Sequence, residues 1–479
     1  MKQIHDVLII GAGVTGTMIA RELSQYQLDV VIIDKSNDAG NATSSANSAI
    51  IHSGYDPEPG TLKAKFNVLG NAKYPKLVEE LDVPFIPCGS LTIALEEEQL
   101  ETLKQLAERS KTNGVKVQLL NKEEVLKMEP NINPEVKGAL FAPTAGIIDP
   151  FNLVVHAMEN AIDNGVTFLR NHEVLDIKKE DVYKVKTNQG DLFAKVVINA
   201  SGVKSDKIAS MVEPIDWAIT PRKGEYFLLD HYAPGLVNHT IFPLPSKKGK
   251  GVLVSMTSSG NYIVGPSSEL ADPDDVSTDS ETLANIRKVA TLMVPSIPFR
   301  ETIRVFAGER ATCTRHDFIV EYAKSDKNFI NVAGIESPGL ASSPAIAEYV
   351  VNELVKPLLP LEKKANYNPC IKKYHRMYYL DEAAKLEAIK NNPEFGEIIC
   401  NCEHISLGEI KEALSRSCPP VSIKGVKRRT RSGYGKCQGG FCQPKVLLLL
   451  AEHYHVSPTR IPLGEDGSYI IDHEIKEAK

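Results

Sequence analysis

The stretch Asp6-Val7-Leu8-Ile9-Ile10-Gly11-Ala12-Gly13-Val14-Thr15-Gly16 constrains this chain more than any other. Val7 to Ile10 is an unbroken apolar run, the pattern of a strand buried on both faces in a parallel sheet. The three glycines have the G-x-G-x-x-G spacing, and each has its own duty. Gly11 allows the tight turn, Gly13 lets backbone approach a pyrophosphate, and Gly16 lets the next helix pack closely on the strand. Met18, Ile19 and Leu23 continue as that helix, whose positive N-terminal end faces the phosphates. A second apolar run, Val30 to Ile33, ends in Asp34, the place for a carboxylate on a ribose hydroxyl, with Lys35 beside it. A glycine motif alone is a weak signal. With strand, helix, second strand and terminal acid in register, the chain is expected to hold a dinucleotide in an α/β fold.

Length and charge bound the rest. At 479 residues the chain has room for two or three domains. A net charge of −6 gives no general attraction to nucleic acid. The N-terminus carries no signal-peptide pattern, and Leu447 to Leu450 falls far short of the run of about 18 apolar residues that spans a bilayer. A cytoplasmic protein is expected, meeting a membrane only peripherally through a partner. Cys88, Cys313, Cys370 and Cys418 are scattered, as buried or inert thiols are. Cys400, Cys402, Cys437 and Cys442 are clustered.

After Asp34 comes Gly40-Asn41-Ala42-Thr43-Ser44-Ser45-Ala46-Asn47-Ser48, leading into Ala49-Ile50-Ile51-His52-Ser53-Gly54. The first part is too polar for a core, and its backbone and hydroxyls suit a large polar heterocycle. With His52-Ser53-Gly54 followed by Pro59-Gly60-Thr61-Leu62-Lys63-Ala64, the chain resembles the flavoprotein superfamily of D-amino-acid oxidase, glycerol-3-phosphate dehydrogenase and 2-hydroxyglutarate oxidase. The resemblance covers about residues 4 to 360. It implies a Rossmann-like FAD-binding domain of the glutathione-reductase type, interrupted at about 80–145 and 215–305 by an antiparallel-sheet substrate domain. Thr43, Ser44, Ser45, Asn47 and Ser48 then lie along the FAD. His52 falls near the isoalloxazine, open to three roles: flavin tuning, proton transfer or a covalent link. Val174 matches the backbone at the adenine, and Ala200 and Gly202 the second dinucleotide segment. Gly334, Gly339 and Leu340 match the flavin-edge loop, with a helix from about Ser343 aimed at the flavin pyrimidine.

The same resemblance points to substrate contacts. Arg310, in Phe306-Ala307-Gly308-Glu309-Arg310, matches the arginine that the family sets over the flavin. Its planar fork suits a carboxylate or phosphate. His239 matches a histidine of the 2-hydroxyglutarate branch that would take the hydroxyl proton; a plain strand-end histidine fits the pattern equally. Lys223, before Gly224, resembles a lysine–glycine pair shared with glycerol-phosphate enzymes. Those enzymes also carry a lysine after the late glycine loop. Here Glu336 to Ser343 has none, which favours a small hydroxy-carboxylate over a phosphate.

From about Leu361 the chain turns polar and basic, and 362–396 is expected to be a linker holding a charged helix over Leu380 to Lys390. Cys400-Asn401-Cys402 and Cys437-Gln438-Gly439-Gly440-Phe441-Cys442 follow. Two such pairs brought together hold iron or zinc. Ser406 to Glu409 has the form of a capping box. The spacing resembles the bacterioferritin-associated-ferredoxin type of [2Fe-2S] domain, small and helical, over 397–450, with a tail over 451–479 and the FAD domain over 1–361. Such a cluster carries about −2, or about −3 when reduced. Lys424, Lys427, Arg428, Arg429 and Arg431 are expected beside it. The chain is therefore expected to be a dehydrogenase of a small anionic hydroxy compound, a 2-hydroxy acid such as 2-hydroxyglutarate or sn-glycerol 3-phosphate. Arg310 anchors the anion, His52 or His239 handles the proton, and flavin electrons pass through the cluster to a redox partner protein or subunit. An amino-acid or opine oxidase and a non-catalytic electron-transfer subunit remain as rivals.

Overall fold

The computed structural model describes residues 3–231, 235–245 and 251–473. Residues 474–479 of the expected tail and two short stretches of the second insertion lie outside that description. One sheet runs in the order Val174–Lys179, Tyr183–Thr187, Gly190–Asn199, Ile4–Ile10, Val30–Ile33, Thr167–Leu169, with Phe329–Ala333 joined to Gly190–Asn199. The pairs around Ile4–Ile10 are parallel. Val7, Leu8 and Ile9 are fully buried, as the unbroken apolar run requires. Val7 and Ile9 face the helices Val14–Leu23, Pro150–Asp163 and Gly339–Tyr349, while Leu8 and Ile10 face the layer that holds Tyr183 and Phe329.

The helix Gly339–Tyr349 begins four residues before the expected Ser343. Pro344 lies inside it and has no N–H to give the Leu340 carbonyl. Tyr74 Oη, at 2.6 Å, and Ser343 Oγ, at 3.0 Å, donate to that carbonyl instead. A tertiary contact thus permits a start that the proline disguises.

Among the described residues, strands from the two expected insertions form a single nine-stranded sheet with Thr302–Cys313, which runs past the expected limit at 305. Ser90–Ala94, from the first, pairs in parallel with Thr240–Phe242, from the second, so the expected antiparallel sheet has a parallel seam. Across it Phe242, Leu253, Gly265, Tyr226 and Phe306 fall in one row. Tyr226, Phe242 and Leu253 pack with Ile50 and Ile147 on the face toward the dinucleotide fold. Phe227, Val254, Val264 and Ile241 occupy the other face, with Ile286 and Ala290 of the helix Ser280–Met293. This alternation decides below which expected site residues can meet.

The expected linker lies along the flavin domain. Arg376 Nη1 is 2.6 Å from Asp82 Oδ2, and Tyr374 Oη donates to Glu159 Oε2 at 2.9 Å. The charged helix spans Glu382–Asn391, capped by Asp381. The helices Leu407–Leu414, Ile423–Thr430 and Gln443–Tyr454 then pack around Ile410, Val426 and Leu450. Ser406 and Glu409 make the expected capping box. Arg429, wholly buried, grips Asp38 of the flavin domain at both oxygens, 2.6 and 2.8 Å away. Among the described residues no helix is long and apolar enough to cross a membrane.

Candidate flavin, substrate and cluster sites

The glycine loop is closed by its neighbours. Gly11 has φ +105°, and a Cβ on it would lie 2.5 Å from the Ala200 oxygen. A Cβ on Gly16 would lie 1.9 Å from the Gly11 oxygen. Only glycine lets these turns meet. Gly202 opens on free space, with nothing within 4 Å of an added Cβ. Ser44 Oγ accepts from the Val14 N–H at 2.9 Å, at the start of the helix Val14–Leu23. Asp34 accepts from the Ala12 and Ser36 N–H groups, at 2.7 and 2.8 Å, and burial raises its carboxyl above the ordinary range. Within the polar segment the other hydroxyls and amides shape the turn. Thr43 Oγ1 donates to the Glu309 oxygen, Ser45 Oγ to Ala42 and Asn47 Nδ2 to Ser44. Ser48 Oγ meets Tyr226 Oη at 3.2 Å. Val174 opens its strand, Gly334 has φ +65°, and Gly339 and Leu340 begin the late helix, where the Gly339 N–H donates to the Glu336 oxygen. Lys35 is exposed at the edge of this arrangement. A glycine loop closed as a nucleotide turn, with Asp34 at the end of the second strand and room at Gly202, fits FAD.

Arg310 lies on the strand Thr302–Cys313, in register with Arg222, so both belong to the Tyr226 face. Its Nη2 donates to the Ser267 oxygen at 3.1 Å, while its Nη1 is buried with no hydrogen-bond partner among the described residues. A buried unpaired guanidinium nitrogen is costly, and an anionic ligand removes that cost. A Cβ on Gly224 would stand 2.5 Å from Nη2, so the glycine makes room for the fork. Arg222 bonds Ser268 through Nε at 3.1 Å and Nη2 at 2.7 Å. Sequence reasoning passed over Arg222; its signal was its place two residues before Gly224 and four before Tyr226, on the same side of the strand. His52 follows the strand Ile50–Ile51. Its oxygen accepts from Asn67 and Asn71, and its ring lies 5.8 Å from that of Phe242. The structure thus brings His52 and Arg310 to one face.

It does not bring His239 there. His239 Nδ1 lies 2.6 Å from Glu129 Oε1, and its ring meets Phe141 edge-on on the opposite face of the sheet. The same carboxylate accepts the His239 and Asn238 N–H groups. His239→Ala is expected to cost about 1–3 kcal/mol of stability by leaving buried Glu129 short of a donor. The change should leave kcat/KM unchanged; a melting curve beside steady-state kinetics checks both. Lys223 also points away, to Asp275 at 3.0 Å and Glu225 at 3.7 Å. The stretch without a lysine, Glu336 to Ser343, receives one from elsewhere: Lys63 Nζ lies 2.7 Å from Glu336 Oε1.

The four cysteines meet as two pairs, each joining the two motifs. Cys402 Sγ and Cys437 Sγ are 3.5 Å apart. The Cys442 thiol donates to Cys400 and draws its thiol down to about 5 against the effect of burial, helped by the N–H groups of Gly433, Glu403 and Cys402. Burial raises Cys437, but Cys402 and the N–H groups of Gly439, Phe441 and Gly440 leave it below the ordinary thiol value. Two pairs of thiols, one lowered in each pair and ringed by N–H groups, supply the four sulfurs that a two-iron centre takes. The basic run divides. Lys427 stands within reach of the Cys442 charge, and Arg431 pairs with Glu403 at 2.9 Å. Arg429 and Arg428 instead turn to Asp38 and to Asn41 and Ser45 of the flavin domain.

A nucleotide loop closed by glycines, beneath a sheet that presents a half-satisfied arginine, defines a flavin-dependent oxidoreductase. Residues 6–353 match the FAD dependent oxidoreductase family, and residues 398–452 match the BFD-like [2Fe-2S] binding domain. The chain belongs to this FAD-dependent oxidoreductase family, with FAD and a [2Fe-2S] cluster as its cofactors. It is 47% identical over 471 residues to a glycerol 3-phosphate dehydrogenase of Caloramator mitchellensis, a match covering 98% of each chain. It is 28% identical over 414 residues to the mitochondrial L-2-hydroxyglutarate dehydrogenase of Arabidopsis thaliana, covering 74% of this chain and 84% of that one. The dithionite-reduced, FAD-bound L-α-glycerophosphate oxidase of Mycoplasma pneumoniae superposes with a TM-score of 0.74 at 34% identity, over 77% of this chain and 98% of the oxidase.

Proposed function

We propose that the chain oxidises sn-glycerol 3-phosphate at its secondary hydroxyl and releases the corresponding keto phosphate. The observation that carries this is the buried, partnerless Nη1 of Arg310, with Arg222 beside it on the same face. Two guanidiniums side by side repel unless a multiply charged anion lies between them, and a phosphate monoester carries about −1.5 to −2 near neutrality. Arg222 supplies the second cation, so the missing lysine in Glu336 to Ser343 does not count against a phosphate. The full-length likeness to a glycerol 3-phosphate dehydrogenase points the same way.

In this reading Arg310 and Arg222 grip the phosphate and fix the carbinol carbon. An imidazole nitrogen of His52 takes the hydroxyl proton as the C–H bond breaks. Phe242 and Tyr226 wall the site against water. FAD, when bound, would supply the two-electron acceptor for the hydride, and a cluster held by Cys400, Cys402, Cys437 and Cys442 would supply a one-electron carrier. The reading includes a flavin fold of the glutathione-reductase type over about 1–361, a helical two-iron module over about 397–450, a cytoplasmic setting and a redox partner that accepts single electrons.

Anaerobic mixing with sn-glycerol 3-phosphate is expected to bleach the flavin absorbance, whereas 2-hydroxyglutarate and amino acids leave it unchanged. Bleaching by a hydroxy acid alone overturns the phosphate assignment, and no bleaching by any of them leaves a relay subunit. His52→Ala should slow the bleaching by about 10²- to 10⁴-fold with little change in KM. A raised KM at unchanged rate would instead make His52 a binding group.

A further inference from the structure

We propose that electrons leave this chain at the Cys402–Cys437 edge of the cluster site, and that the face around that edge docks a one-electron acceptor protein. The proposal deepens the reading of the chain as a dehydrogenase with a one-electron carrier, and it rests on that reading.

The four cysteines differ in depth. Cys400 and Cys442 are 1% and 2% exposed, whereas Cys402 is exposed and Cys437 partly so. The two pairs therefore divide the site into an inner and an outer half. The inner half faces the flavin. A Cβ on Gly433 would lie 3.8 Å from Cys442 Sγ, and the next residue, Tyr434, lines the cavity walled by Thr43, Ser45 and Asn47 of the flavin segment. Lys427 lines the same cavity and stands 4.5 Å over the Tyr434 ring. The outer half faces away. Cys402 opens on a second recess of about 270 Å³, shared with His404, Tyr378 and Tyr379, and the flavin segment has no part in its walls.

Added charge settles where it is best solvated. A two-iron cluster goes from about −2 to about −3 on taking an electron, and water favours the extra charge. The iron that Cys402 and Cys437 would share is thus the one that holds the electron, and it is the one a partner can approach. The surface around it is apolar. Phe441, between two cluster cysteines in the chain, is 81% exposed, more than any other large apolar side chain among the described residues. Tyr378 and Tyr379, which line the recess, are 57% and 53% exposed. Single exposed apolar side chains are ordinary, but a projecting ring and an aromatic recess on either side of an open redox edge are the anchors of a protein interface. Each encounter moves one electron. The cluster returns to about −2, the haem or iron–sulfur centre of the acceptor is reduced by one, and no proton moves. Two encounters drain the electron pair that FAD takes from one substrate molecule.

Holoenzyme reduced with dithionite and desalted tests this without substrate, so the outcome does not depend on glycerol phosphate. Cytochrome c, a basic one-electron protein, and ferricyanide, a small anion, are the acceptors. At low salt Phe441→Glu should speed cytochrome c reduction by about tenfold and Phe441→Lys slow it as much, the two converging at high salt. The same swaps at Leu292, exposed on the helix Ser280–Met293, should change nothing. Phe441→Ala, which adds no charge, should slow cytochrome c reduction by about fivefold and leave the ferricyanide rate unchanged, since only a protein uses the anchor. Cys402→Ser, with iron and sulfide content verified, should lower the cluster's midpoint potential further than Cys442→Ser does. Equal shifts, or a larger one for Cys442→Ser, overturn the proposal. So do cytochrome c rates blind to charge at Phe441, or a Phe441→Ala variant equal to the parent. Binding to phosphatidylglycerol vesicles that Phe441→Glu abolishes would make the face a membrane contact instead. Where a serine variant loses its cluster, the Phe441 rates decide.

Discussion

Arg310→Ala is expected to lower kcat/KM for the anionic substrate by about 100- to 1000-fold, with FAD content unchanged. Truncating one partner of a buried charge pair costs several kcal/mol, and about 1.4 kcal/mol is tenfold in rate. The loss should fall mainly on KM if the fork grips substrate and transition state alike, and on kcat if it chiefly aligns the carbinol carbon. Arg310→Lys should recover little. A lysine ammonium offers a point charge without the second parallel donor, and Nη2 is needed by the Ser267 oxygen while Nη1 serves the ligand. Steady-state kinetics over a substrate series measures the effect. Kinetics equal to the parent would remove Arg310 from the site and leave its buried nitrogen unexplained.

Arg429→Ala is expected to destabilise the docked cluster module by about 3–5 kcal/mol, because Asp38 is left charged and buried. The pair is 0% and 1% exposed, and the same guanidinium donates to the Cys418 oxygen, so one side chain ties two segments together. Replacing both partners with apolar residues of similar size should cost far less than either single change. Differential scanning calorimetry of the two single variants and the double variant gives the coupling directly; additive losses would show that the ion pair does not hold the module. The pH dependence has a definite sign. Burial works against the Asp38 charge, but Arg429 outweighs it and leaves the carboxyl below its ordinary value. The pair therefore stabilises fully above the usual carboxylate pKa of about 4 and weakens only as pH falls through the lower folded value. Docking should persist through mildly acidic solution and fail in strong acid.

Much of the chemistry was legible in a single dimension. Gly11, Gly13, Gly16 and Asp34 sit close together along the chain, and their duties depend on local geometry. The same holds for the capping box at Ser406, whereas Cys400–Cys402 and Cys437–Cys442 announce a cluster by their spacing but meet in pairs that join the two motifs, which only the fold brings about. The sheet residues were harder. His239 and Arg310 both carry plausible chemistry, but a strand turns successive side chains to opposite faces, and no local signal says which face meets the flavin. Arg222 was hidden in the same way, beside the more conspicuous Lys223. The helix at Gly339 was masked by Pro344, whose missing hydrogen bond is replaced by Tyr74 from a distant part of the chain.

Alone, the amino-acid order pointed to a dinucleotide and to two cysteine motifs for a cluster, since turns, caps and cysteine spacings are properties of a few consecutive residues. Only the tertiary structure decided which histidine and which arginines share the substrate face, and that Arg429 grips Asp38 rather than neutralising the cluster. Those outcomes depend on strand register and on the desolvation of charges hundreds of residues apart, and both are set by packing.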